Sequence, residues 1–87
     1  MGVKFTGRAT AHYHWMQQNK PKLHAKIDRL IDDILRDPYQ GIGKPEPLKH
    51  EYAGCWSRRI DDEHRLVYRV DGKTIIILQC RYHYTAS

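Results

Sequence analysis

The stretch His64-Arg65-Leu66-Val67-Tyr68-Arg69-Val70-Asp71-Gly72-Lys73-Thr74-Ile75-Ile76-Ile77-Leu78-Gln79-Cys80-Arg81-Tyr82-His83-Tyr84 decides the fold. The β-branched and long aliphatic run from Ile75 to Leu78 reads as a buried strand. Asp71-Gly72-Lys73 is a turn signal, so His64–Val70 and the last strand pair as a hairpin. Ser57–Ile60 precedes them across Asp61-Asp62-Glu63, and everything after Cys55 becomes a β-meander. The last strand then carries an arginine, a histidine and two tyrosines to its tip, and a packed strand is a rigid mount for such groups.

Outward from the meander, Leu23, Ile27, Leu30, Ile31, Ile34 and Leu35 fall on one stripe of a helix. Pro21 suits its first turn, and Pro38 stops it by disfavouring helical angles at Asp37. A shorter helix from Gly7 to Gln18 has a weak face of Ala9, Tyr13 and Met16, with Thr6 placed to cap it. Val3–Thr6 reads as a first strand, and Gly41–Pro47 as a loop. The predicted order is β-α-α-β-β-β: one α+β domain over residues 1–87, with two helices packed on one face of a twisted, antiparallel-rich sheet.

An 87-residue chain buries only ~60–65% of its unfolded surface, so a working site belongs on the surface or in a shallow cleft. The net charge of +5 divides as +3 over residues 1–40 and +2 over residues 41–87. A basic surface spread through the fold favours an anionic partner, nucleic acid first. Cys55 and Cys80 have no metal-ligand spacing and read as packed, reduced thiols, which points to the cytoplasm. The longest apolar run is far too short for a membrane span, so no membrane partner is expected.

Register decides which side chains share a face. If both hairpin loops hold three residues, Arg59 faces Arg65, Arg65 faces Gln79, and the odd-numbered Arg59, Arg65, Arg69, Arg81 and His83 share one side of the sheet. His83 then lies about 13 Å beyond Gln79 along a flat strand, and the sheet must curl for it to meet Arg65. A two-residue Asp-Gly turn would instead send His83 to the other face.

Glu46 sits between Pro45 and Pro47, which hold its carboxylate in an extended loop with Lys44 and Lys49 nearby. Arg58, Arg59, Arg65, Arg69 and Arg81 offer planar cations for phosphate, and tyrosines beside His83 can stack bases. A carboxylate, a histidine and clustered arginines on a basic domain point to RNA cleavage without metal or cofactor. The carboxylate would take a proton from a ribose 2′-hydroxyl, the histidine would protonate the departing 5′-oxygen, and arginine would stabilise the charged phosphorane. DNA has no 2′-hydroxyl and would not be cut this way. Neighbouring cations oppose a basic Glu46, and burial would have to compensate. The scattered histidines lack ligand spacing, and Gly41-Ile42-Gly43-Lys44 does not complete a phosphate-binding loop, so neither metal nor nucleotide cofactor is expected.

Four blocks, Gly41-Ile42-Gly43-Lys44-Pro45-Glu46-Pro47-Leu48-Lys49, Trp56-Ser57-Arg58-Arg59-Ile60, Glu63-His64-Arg65-Leu66-Val67-Tyr68 and Cys80-Arg81-Tyr82-His83-Tyr84, resemble in order the YoeB (Txe) toxins of the RelE-like superfamily. The resemblance implies a toxin that cleaves mRNA in the ribosomal A site and is neutralised by a cognate YefM-like antitoxin; whether it works as a monomer or as a homodimer stays open. It implies Glu46 as general base, His83 as general acid, Arg65 on the scissile phosphate, Tyr84 positioning substrate, and Lys49 and Arg59 binding phosphate. Lys44, Arg58 and Arg81 join the phosphate-binding set from the residue reading alone. Two other functions remain open to this architecture: a ParE-like inhibitor that binds gyrase, which needs no Glu46–His83 pair, and a passive RNA-binding module. This chain departs from the family at Thr10-Ala11-His12, where relatives often carry tryptophan and acids, and in ending on Thr85-Ala86-Ser87 beyond Tyr84.

Overall fold

A computed structural model describes residues 2–83. Strand β1 (Gly2–Phe5) runs into Thr6, whose hydroxyl accepts the Ala9 amide at 3.1 Å and caps helix α1 (Gly7–Asn19) as the sequence predicts. Helix α2 (Pro21–Arg36) starts on its proline and stops before Pro38, and its stripe buries Ile27, Leu30 and Ile34. The chain continues through β2 (Glu46–Pro47), a 3₁₀ turn (His50–Tyr52), β3 (Trp56–Arg59), β4 (Arg65–Asp71) and β5 (Thr74–Gln79). The five strands lie in the order β1-β5-β4-β3-β2, with β1 parallel to β5 and the other pairs antiparallel. The α+β class stands, with one strand more than predicted. The end of the Gly41–Pro47 loop pairs with β3 as a two-residue edge, where a proline without an N–H is tolerated.

One core sits between the helices and the sheet. Ala9 and Met16 of α1 and Ile27, Leu30 and Ile34 of α2 cluster with Leu66, Tyr68, Ile75 and Ile77. In the paired register Trp56 faces Tyr68 and Arg58 faces Leu66, so the even-numbered residues of β3 and β4 point at the helices. The odd-numbered Ser57, Arg59, Arg65, Val67 and Arg69 point away from them, onto what is called here the far face. Glu46 pairs with Ser57, Ser57 with Val67, and Val67 with Gln79, which makes one row across four strands of that face.

The β4–β5 register corrects both alternatives considered above. Asp71 pairs with Thr74, so the turn holds two residues, Gly72 (φ 60°) and Lys73. Taken alone, that would turn the end of β5 to the wrong side. A bulge between Val67 and Tyr68 on β4 and Ile77 and Gln79 on β5 absorbs Leu78 and returns Gln79 to the far face. Together the tight turn and the bulge slide the end of β5 by two residues relative to the three-residue reading. Gln79 faces Val67 instead of Arg65, and the Arg65 amide donates to the Tyr82 carbonyl at 3.0 Å. The slide takes up about half of the 13 Å separation predicted for a flat strand, and the bend after Gln79 brings the Tyr82 carbonyl onto the Arg65 amide. The first hairpin matches its three-residue prediction, with Arg59 opposite Arg65.

Strand β5 ends sooner than predicted. Pairing stops at Gln79, and Cys80–Tyr82 bends away, with Tyr82 at φ 67° in the left-handed region. His83 is thus mounted on a bent segment held by its own hydrogen bonds, not on a sheet ladder.

Candidate active site

The two adjacent arginines of β3 have opposite fates. Arg58 was grouped above with the phosphate-binding residues, and the structure overturns that. It is fully buried on the helix side of the sheet. Its guanidinium donates to Asp33 Oδ2 at 2.5 Å, to the carbonyls of Asp37, Gln40 and Ile42 at 2.7, 3.2 and 3.1 Å, and to Tyr68 Oη at 3.2 Å. Strand alternation is the reason: a residue next to Arg59 must face the core, and a buried cation needs this full set of acceptors. Arg58 therefore ties α2 to the loop that leads into Glu46. That loop wraps closely enough that Gly43 (φ 81°) has Leu30 Cδ2 2.8 Å from where a Cβ would stand, and its carbonyl accepts the Arg59 amide at 2.7 Å. Asp33 also accepts the Ile42 amide at 2.9 Å, and Arg58 foremost, then Ile42 and Arg36, hold its carboxyl down at about 2.

Arg59 lies on the far face, half-exposed, in an ion pair with the fully exposed Asp62. Such a pair exchanges cheaply for a phosphate. Arg65 lies opposite it, its Nη1 braced on the carbonyls of Asp61 and His64 at 2.6 and 3.0 Å. Glu46 is exposed at the β2 edge, two strands across and one two-residue step along from Arg65, which places their Cα atoms about 12 Å apart on a regular sheet. Lys44 (φ 53°) and Lys49 are exposed on either side of Glu46. These residues form an acidic point beside a basic far-face patch.

His83 lies at one end of that face. It lines a cleft of about 270 Å³ together with Arg8 and His12 of α1, Tyr52 of the 3₁₀ turn, Gln79 and Tyr82. Arg8, Tyr52 and Gln79 also line a neighbouring cleft of about 390 Å³, which reaches Arg69 and Cys55. Arg65 stands beside the first cleft, its amide bonded to Tyr82, one residue from His83. Arg81 is engaged elsewhere: its guanidinium stacks on Trp15 of α1 at 3.4 Å and on Tyr82 at 4.4 Å. That makes it an anchor for the chain end more than a free phosphate ligand. Tyr84 lies outside the described residues.

Sequence reasoning missed Arg8 and Tyr52. The charge pattern does not mark Arg8: the first turn of α1 carries a cation and no acid, and so does that of α2 with Lys22. Nothing local marks Tyr52, which reaches the cleft only because Leu48 pairs back to Cys55, amide to carbonyl at 2.9 Å, and folds the 3₁₀ turn over the far face.

Residues 5–84 match the family model described as YoeB-like toxin of bacterial type II toxin-antitoxin system. A Toxin YoeB from Synechocystis is 51% identical over 84 residues, 97% of this chain and 98% of the relative. The solved YoeB/ParE toxin from Agrobacterium tumefaciens superposes with a TM-score of 0.94 at 44% identity, covering 97% of this chain and all of that one. The Staphylococcus aureus toxin is 46% identical over 97% of this chain and 98% of its own. It is solved in a YoeB-YefM complex and as a YoeB dimer, with TM-scores of 0.89 and 0.90. The chain belongs to the YoeB family of toxins from bacterial type II toxin–antitoxin systems.

Proposed function

We propose that this toxin is a ribosome-dependent endoribonuclease that cuts mRNA in the A site. The observation that carries the reading is the far-face register: Glu46, Arg59 and Arg65 share one side of the sheet, and the slide of β5 brings the His83 segment against Arg65. Glu46 takes the proton of a ribose 2′-hydroxyl, whose oxygen attacks the adjacent phosphorus. His83 gives a proton to the departing 5′-oxygen, which leaves a 2′,3′-cyclic phosphate and a 5′-hydroxyl. Arg65 stabilises the equatorial charge of the phosphorane, while Arg59, Lys44 and Lys49 hold flanking phosphates. Tyr84, the next residue, positions the nucleotide. Glu46 is exposed in the free toxin, and the ribosome seats the message against it, which accounts for a dependence on the ribosome. By likeness to the Staphylococcus aureus complexes, the neutralising partner is a YefM-like antitoxin and the free toxin pairs with itself. Action on translating ribosomes sets the protein in the cytoplasm.

The test is cleavage of a defined mRNA in a purified translation system, with the new 5′ ends mapped. The wild type should cut within A-site codons, and His83→Ala should lose on the order of 10²–10⁴ in rate while still associating with ribosomes. An intact message in the presence of the wild type would refute the proposal. A gyrase assay would then take its place.

A further inference from the structure

A catalytic acid works only if its segment is held still, and the segment that bears His83 lies beyond the β4–β5 ladder, which ends at Gln79. Two imidazoles take over that task. His64 Nδ1 accepts the Tyr82 amide at 2.7 Å, and His12 Nδ1 accepts the Cys80 amide at 3.3 Å. Each hydrogen bond requires an imidazole whose Nδ1 is bare and whose proton sits on Nε2. For His64 the carboxylate of Glu63 lies 3.9 Å from Nε2, on the side that carries the proton. For His12, burial and then the cations Arg8 and Arg81 disfavour the charged form, which keeps its acceptor available.

His64 is the better placed of the two. It is only 4% exposed, and its main chain is fixed by Asp61, whose Oδ1 accepts the amides of Glu63 and His64 at 2.9 and 2.7 Å. The amide it captures belongs to Tyr82, whose φ of 67° a tyrosine adopts only under compulsion. The same residue is gripped at its other end, because the Tyr82 carbonyl accepts the Arg65 amide at 3.0 Å and Gln79 Nε2 at 3.4 Å. A strained residue bonded at both its N–H and its C=O is over-determined, and the chain direction at His83 follows from it.

We infer that His64 is a positioning residue for catalysis: its neutral imidazole latches the Tyr82 amide and so fixes the left-handed turn that presents His83 to the cleft. This rests on the reading of His83 as the acid, and the latch itself has a readout that does not. In the full-length toxin, the Tyr82 amide should exchange slowly with solvent. His64→Phe keeps the ring and its packing but offers no acceptor. His64→Asn places Oδ1 where Nδ1 stood and should rescue the bond.

The expected result is fast Tyr82 exchange and a ~10–100-fold lower cleavage rate on ribosomes for His64→Phe, at unchanged KM for the programmed ribosome. His64→Asn should recover slow exchange and bring the rate to within a few fold of wild type. A Tyr82 amide that exchanges equally fast in the wild type and His64→Phe would overturn the inference. So would full cleavage by His64→Phe after protection is lost, or an Asn variant no better than Phe on both readouts. If the wild type itself fails to cleave, the reading of His83 falls, and the exchange rates still decide whether the latch exists. Thermal melts of both variants separate loss of the latch from loss of the fold.

Discussion

Arg58 and Arg59 are neighbours in sequence, yet substitution should separate stability from activity between them. Arg58→Met replaces a fully buried guanidinium by an apolar side chain of similar length and leaves the Asp33 carboxylate without its main partner. Breaking a buried ion pair from one side costs about 3–5 kcal/mol. Here the lower end applies, because the Asp33 side chain keeps 16% exposure and its charge can rehydrate. The three orphaned carbonyls, of Asp37, Gln40 and Ile42, lie in a surface loop and can also recover water. A loss of about 3 kcal/mol is a large part of the 5–15 kcal/mol typical of a domain, and for this size it lowers Tm by roughly 12–24 °C. Arg59→Met removes only an exposed pair with Asp62 and should cost under about 1 kcal/mol. Urea titration of both variants measures the difference, and cleavage by the two proteins at 20 °C completes the comparison. Arg59→Met should stay folded and cut slowly. Near-equal midpoints for the two variants would refute the division of the sheet into a structural and a functional side.

Two further outcomes follow, one from Asp33 and one from Cys80. The Asp33 carboxyl titrates at about 2 instead of 3.8 because Arg58 and its other donors favour the charged form. A depressed carboxylate stabilises the fold fully above its unfolded pKa, and that contribution disappears as pH falls from about 4 through 2. The difference in midpoint between wild type and Asp33→Asn should therefore be constant near neutrality and shrink across that acid window. A difference that grows on acidification would mean the opposite linkage. Cys80 is buried, its thiol pushed up to about 12 by burial and placed 3.6 Å from the Ala9 carbonyl, whereas Cys55 is half-exposed. Timed alkylation followed by mass spectrometry should label Cys55 at least about tenfold faster than Cys80 in the native toxin. Equal rates would show that the α1–β5 contact opens readily.

Much of the architecture was legible because it rests on periodic signals. The α2 stripe, its bounding prolines, the Thr6 cap and the Ile75–Leu78 run each report a local preference that the tertiary structure leaves in force. The β2 edge was not legible: two residues, one a proline, carry no pattern, and they pair only because Arg58 and the Gly43 carbonyl pull the loop onto β3. Arg58 was misassigned for a related reason. A cation in a strand looks like a surface residue until its acceptors are known, and they come from Asp33 and the 37–42 loop, far from it in sequence. The family resemblance named Glu46, Arg65 and His83; spacing rightly placed Arg65 opposite Arg59 on β3 but wrongly opposite Gln79 on β5.

What spacing lacked was the bulge. Hairpin rules relate turn length to register on the assumption of an unbroken ladder, and under that assumption either a two-residue or a three-residue turn fails this site. The first loses the face, and the second leaves His83 too far from Arg65. The two-residue turn with one absorbed residue at Leu78 keeps the face and shortens the distance together. The ladder ends at Gln79, and Cys80–Tyr82 bends away with a main-chain bond to β4 from the Arg65 amide to the Tyr82 carbonyl. The hydrogen bonds from Tyr82 to His64 and from Cys80 to His12 then become necessary parts of the site and not decoration on it. On this argument, Glu63-His64-Arg65 acts as a unit: Arg65 stands on the far face and grips the Tyr82 carbonyl through its amide, while His64 beside it holds the Tyr82 amide from the buried side.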